Sequence, residues 1–203
     1  MARTGGQERR RQLVAEAISA FGRRGYEATS LDAIAEAAGV RKQSLLYYFP
    51  TKEALFDACV DALSARIAAA LHEALADVDD TTDFETPPAR VIGAIFKLAE
   101  EAPEFPGFIR EASWRGADVV QRFAGVMDPL RKRALLFLER GIAMGKFRKQ
   151  DPVLLLFTIY TAVVGSLTEA GVLRAVGGKA GGRTALRKRE QELLAFVRSA
   201  LEP

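Results

Sequence analysis

One cysteine, one histidine and no long apolar run are what this chain of 203 residues has least of. A lone thiol, Cys59, excludes an internal disulfide and fits a reducing compartment. It sits on an apolar stripe without a nearby histidine, so it reads as core rather than as a nucleophile. The single His72 lies among alanines with no second histidine or clustered cysteine to share a metal, so no metal or other cofactor is expected. The longest uncharged stretch, "PVLLLFTIYTAVVGSLT" from Pro152 to Thr168, falls short of the roughly 20 apolar residues that span a bilayer. It predicts a buried helix, with no membrane as a partner. The opening residues "MARTGGQERRRQ" lack the apolar stretch of a secretory signal, and the expected location is cytoplasmic. No strand, no repeat and no glycine-rich phosphate loop is evident. The paired acids Asp79 and Asp80 fall in a polar loop and look solvating. No catalytic constellation emerges, so an enzyme is not expected.

What is present is helix. Val14, Ala17, Ile18 and Phe21 form one stripe that stops near Gly25. Thr29 is placed to open the next helix, with Asp32 three residues on as a capping box, and Leu31, Ile34, Ala35 and Ala38 as its buried face. Gly39 ends it. A short helix near residues 42–48 follows, then Pro50 and Thr51 break and recap the chain. A long helix from Lys52 to about Asp77 comes next, with further helices expected at about 88–102, 106–116, 118–144, 152–176 and 184–201. The fold class is all-α, about nine helices, with an expected division into residues 1–52 and 53–203.

Charge is not evenly spread. Residues 1–52 hold 9 Lys and Arg against 5 Asp and Glu, while the remainder is nearly balanced. Basic character gathered in one quarter hints at a polyanion partner there. Two short helices joined by a tight glycine turn match a helix-turn-helix, whose second helix reads base edges from its N-terminal turn in the major groove. Here that turn is Arg41, Lys42, Gln43 and Ser44. Arginine and lysine suit guanine acceptors, glutamine suits adenine, and serine serves a base edge or a phosphate. Tyr47 and Tyr48, one turn on, can offer phenolic hydroxyls to phosphates. Thr29 and Ser30 stand at a helix N-terminus, and Lys52 adds a cation.

The stretch "GYEATSLDAIAEAAGVRKQSLLYYFPTKEAL", Gly25 to Leu55, resembles the DNA-binding signature of TetR-family transcriptional regulators. Gly25-Tyr26, Thr29-Ser30, Ile34-Ala35, Ala38-Gly39-Val40, Leu45, Tyr47, Phe49 and Lys52-Glu53 carry it. Arg41 departs from the family's small capping hydroxyl, Gln43 from a frequent glycine, and Leu46 from a common tyrosine. The resemblance implies a three-helix DNA-binding domain and a larger helical domain for effector binding and dimerisation. It implies double-stranded DNA, a small-molecule effector and a second copy of the chain as partners. An effector would shift the helix beginning at Lys52 and release the operator.

For the larger part, Phe96, Phe108, Glu111, Trp114, Arg115, Phe123, Met127 and Phe137 are candidates to line a ligand cavity suited to a hydrophobic or planar molecule. Tyr160, Gly165, Leu167, Leu186, Leu193, Phe196 and Val197 are candidates for a four-helix homodimer interface. The expected function is a ligand-responsive repressor on a palindromic operator. The alternatives are an effector-independent architectural DNA-binding protein and, remotely, a small all-α enzyme.

Overall fold

The computed structural model describes residues 2–79 and 83–203, which places Asp80 outside the described residues. Ten helices account for the described regular structure: α1 (Ala2–Arg24), α2 (Leu31–Ala37), α3 (Lys42–Tyr48), α4 (Lys52–Ala74), α5 (Thr86–Glu101), α6 (Phe105–Trp114), α7 (Ala117–Ala143), α8 (Pro152–Thr168), α9 (Ala170–Ala175) and α10 (Arg183–Leu201). No strand occurs among the described residues, and no helix of them is long and apolar enough to cross a membrane.

The count exceeds the expected nine because the run 152–176 is two helices. Asp151 caps α8 as its position predicts, accepting from the amides of Val153 and Leu154. The helix then breaks at Glu169, where ψ turns to 43°. The break comes at the first charge after the uncharged run, ahead of Gly171, a poor helix former. Pro129 lies inside α7 without ending it.

Two compact units form, Met1–Arg66 with Pro103–Val126, and Ile67–Ala102 with Met127–Pro203. Compactness thus divides the chain differently from the sequence-based boundary at residue 52, since the second stretch of the first unit carries α6.

In the first unit the α1 stripe is buried at Leu13, Val14, Ala17 and Phe21, as the helical period requires. Phe21, Tyr26, Phe56 and Phe108 form one aromatic cluster. Phe56 stands 5.3 Å from Phe21, 5.2 Å from Tyr26 and 5.1 Å from Phe108 between ring centroids. Where α1 meets α6, the contact is backbone on backbone. A methyl group on Gly107 would overlap the carbonyl oxygen of Gly22, and one on Gly22 would overlap that of Glu104. Gly107→Ala is therefore expected to cost about 1–3 kcal/mol through overpacking. At roughly 2–4 °C per kcal/mol for a chain of this size, a calorimetric scan should show a clear drop in the thermal midpoint. An unchanged midpoint would mean that the two helices part freely.

In the second unit α10 packs on α5 and α8. Its buried face is Leu193, Val197 and Leu201. Phe84, Phe137 and Phe147 form a second aromatic cluster with centroids 5.4 to 5.5 Å apart. The Arg189 guanidinium donates to the carbonyls of Ser166 and Ala180, tying α10 to the end of α8 and to the loop before α10.

Candidate nucleic-acid interface

The helix-turn-helix forms as its residues dictate. Gly39 adopts φ +65°, which turns the chain sharply between α2 and α3, and Leu45 buries completely beneath α3. Arg41 occupies the N-cap of α3 without a side-chain cap bond, as expected from its replacing a hydroxyl residue. Thr51 recaps the chain by accepting from the Ala54 amide.

The two hydroxyl residues before α2 exchange the expected roles. Ser30, not Thr29, is the N-cap, its Oγ accepting from the Ala33 amide at 3.1 Å. Thr29 is 1% exposed, and its hydroxyl donates to the carbonyls of Gly25 at 2.7 Å and Ala20 at 3.3 Å. The cause is the turn itself. Gly25, at φ +79°, ends α1 and brings its carbonyl within reach of Thr29. Asp32 closes no capping box; its carboxylate receives the Lys42 ammonium at 2.7 Å.

Seen from outside, α3 presents a concave patch lined by Arg41, Gln43, Ser44, Tyr47 and Tyr48, together with Gly39 and Val40 of the turn and Arg9 of α1. Tyr47 is 83% exposed, while Tyr48 is half-buried and meets it edge to face at 5.3 Å. Lys42 lies off this patch, half exposed in its ion pair with Asp32. Such a surface pair contributes only about 0–1 kcal/mol, so a base or phosphate oxygen can replace the carboxylate.

Arg9 was not singled out by the sequence. Its guanidinium donates to Gln12, which in turn donates to the Ala38 carbonyl at the end of α2. Within the run Arg9 to Arg11 the helical phase carried a usable signal. Arg10 continues the stripe of Val14, Ala17 and Phe21, and it duly lies over the Phe49 ring at 4.9 Å. Arg9, one position back, is turned outward.

Lys52 is partly engaged. Its ammonium stands 4.1 Å from the centroid of the Tyr26 ring, over which the Arg115 guanidinium also stands at 3.6 Å. Burial raises the Tyr26 phenol above its ordinary value, and Glu53 and Glu27 add to this, while the Arg115 charge and hydrogen bond pull the other way.

The expected ligand residues divide between the units. Phe108 is buried against Phe56, Glu111 lies beside Gly25, Phe123 is half-buried, and Arg115 is ion-paired, all in the first unit. Trp114 is 85% exposed at the end of α6, because the period of that short helix turns Phe105 and Phe108 inward instead. Phe96 and Phe137 are buried in the second unit, and Met127 is half-buried.

The expected dimer set also divides. Leu193 and Val197 are core within the second unit, since α10 turns its strongest stripe inward, and Leu167 of α8 is buried there too. Gly165 and Leu186 are half-buried, and Tyr160 and Phe196 are exposed. Val153, Leu154 and Phe157, which precede Tyr160 on α8, are exposed with it.

The His72 Nδ1–H donates to the Ala68 carbonyl, 2.8 Å away. Cys59 is buried with its thiol 3.7 Å from the Val14 carbonyl, and burial pushes the thiol well above its ordinary range. Among the described residues no three His, Cys, Asp or Glu side chains gather to hold a metal ion.

Residues 13–59, from mid-α1 into α4, match the family described as bacterial regulatory proteins, tetR family. Over that segment the chain is similar to TetR-family regulators. RutR of Escherichia coli strain K12, an HTH-type transcriptional regulator, is 46% identical over 48 residues, which is 24% of this chain and 23% of RutR. The match thus spans under a quarter of that relative's length. YhgD of Bacillus subtilis strain 168, also an HTH-type transcriptional regulator, is 25% identical over 164 residues, covering 77% of this chain and 83% of YhgD. The crystal structure of the transcriptional regulator FadR from Bacillus subtilis, in complex with stearoyl-CoA, has the same fold. Its TM-score is 0.75 at 16% identity, over 94% of this chain and 98% of that one. The matched segment contains α2 and α3 whole, whereas Arg9 and Arg115 lie outside it.

Proposed function

We propose that the protein is a ligand-responsive transcriptional repressor that binds a palindromic DNA operator as a homodimer. The observation that carries this reading is the outward face of α3, where Arg41, Gln43, Ser44 and Tyr47 stand exposed on one concave patch. Arg41, Lys42 and Gln43 would read base edges. Ser30, Ser44, Tyr47, Tyr48 and Lys52 would hold phosphates. Thr29 drops out, because its hydroxyl is committed within the chain. Residues 1–52 would be the DNA-reading part and 53–203 the part that binds effector and partner copy.

The exposed apolar stripe of α8, Val153, Leu154, Phe157 and Tyr160, supports a face for the second copy. Two-fold symmetry would then present two α3 helices to successive major grooves. Burial of Phe96 and Phe137 supports an apolar effector site in the second unit, and the stearoyl-CoA held by FadR supports the same class of ligand. For a useful response the effector must favour the released state by about 1–3 kcal/mol.

The test separates reading from holding. Lys42→Ala or Gln43→Ala is expected to cost about 1–3 kcal/mol and to relax preference at particular base pairs. Lys52→Ala is expected to weaken all sequences alike and to flatten the dependence of log affinity on log salt by about one. Fluorescence anisotropy on a duplex selected from a random pool, across a salt series, measures both. Equal losses on selected and unrelated duplexes for all three variants would undo the assignment.

A further inference from the structure

The helix-turn-helix is a segment with two ends, and one guanidinium touches both. Before α2, Arg115 stands over the Tyr26 ring at 3.6 Å and pairs with Glu27 at 3.6 Å. After α3, it pairs with Glu53 at 3.5 Å, beside Lys52, whose ammonium shares the Tyr26 ring. Arg115 is the C-cap of α6, so it enters from outside the segment that it holds. Its side chain is mostly buried and its Nε is buried without a hydrogen-bond partner. Leaving a buried donor unsatisfied is unfavourable, so the guanidinium keeps this place against a local penalty. A flat cation with forked donors suits the place. It can stack on a ring and meet carboxylates on two chain segments at once, which a lysine ammonium cannot.

We propose that Arg115 is the positioning residue of the DNA-reading helices, fixing the chain on either side of α2 and α3 so that the residues of α3 are held in one orientation. This rests on the DNA-binding reading above. Arg115 touches no DNA in this account; it acts through Tyr26, Glu27, Lys52 and Glu53. Its removal leaves α3 folded and basic but loosely aimed. Sequence preference then falls more than general affinity.

The experiment uses a duplex that the wild-type chain selects from a random pool, and an unrelated duplex of the same length. The readout is the ratio of the two affinities. A smaller folded fraction lowers both affinities alike and leaves the ratio unchanged, so a merely structural role does not move it. Arg115→Ala is expected to lower the ratio about tenfold, between the sizes of an exposed and a fully desolvated cation–π contact. Arg115→Lys should recover only part of it. The paired variant Glu27→Gln with Glu53→Gln guards against misfolding, because those side chains are 90% and 75% exposed. It should strengthen binding to the unrelated duplex by removing two negative charges, and narrow the ratio severalfold. An unchanged ratio in both Arg115→Ala and the paired variant overturns the proposal. Lys42→Ala in the same assay tells the two failures apart. If it narrows the ratio while the Arg115 and paired variants do not, only the positioning role falls. If no duplex is selected, or Lys42→Ala also leaves the ratio unchanged, the DNA-binding reading falls and the positioning role falls with it.

Discussion

Phe56→Ala should destabilise the protein by about 3–5 kcal/mol, the cost typical of truncating a buried phenylalanine. Phe56 is 1% exposed and meets three aromatic rings at once, Phe21 of α1, Tyr26 of the turn after it, and Phe108 of α6. Its removal loses apolar burial, leaves a cavity, and forfeits edge-to-face contacts with Phe21 and Tyr26 that add about 0.5–1.5 kcal/mol each. The neighbours cannot close the gap easily, because the Gly22–Gly107 crossing already brings α1 and α6 to backbone contact. Against a total stability of about 5–15 kcal/mol, the loss is a large fraction. Denaturant unfolding followed by circular dichroism gives the number, and Phe56→Leu, which refills much of the volume, should lose distinctly less. A loss below about 1 kcal/mol, the range of a surface change, would show that the cluster is not the core of its unit.

Phe157→Arg is expected to have the largest functional effect. The residue is 61% exposed on α8 between Leu154 and Tyr160, on a stripe of apolar side chains at helical spacing. A charge in the middle of an apolar face between two copies would be desolvated without a partner, which is strongly unfavourable. Sedimentation should then show a monomer. Operator affinity should fall by about 10²-fold or more, since the second half-site no longer binds as an intramolecular event. Trp114→Arg is the control, because Trp114 is at least as exposed but lies on α6 in the other unit. It should leave the oligomeric state untouched. If both variants sediment as the wild type does, the α8 stripe is not the interface.

How much of this could be read from the residues varies by element. The helix-turn-helix was legible almost entirely, because its signals are local. A glycine turn, a buried leucine and a cationic first turn all lie within a dozen positions. The Thr29 and Ser30 exchange was not legible, since two adjacent hydroxyls are equivalent until the left-handed Gly25 sets the direction of the chain. On α8 the difficulty was different. A helix with no charge has no polar face to subtract, so periodicity could not say that Leu167 turns inward and Phe157 outward. The ligand candidates are large apolar residues with two polar ones, Glu111 and Arg115, and neither size nor polarity says in which unit a side chain packs. Arg115 shows this most plainly. Its partners Tyr26, Glu27 and Glu53 lie more than sixty positions away in the chain, beyond any pattern of spacing.

The Gly22–Gly107 crossing has a mechanical consequence. Where side chains separate two helices, small displacements are absorbed as rotamers readjust, and little is passed on. Here the two main chains touch directly, so α1 and α6 have nothing compressible between them. Any shift of one must be followed by the other as a whole rod, and the joint transmits motion instead of damping it.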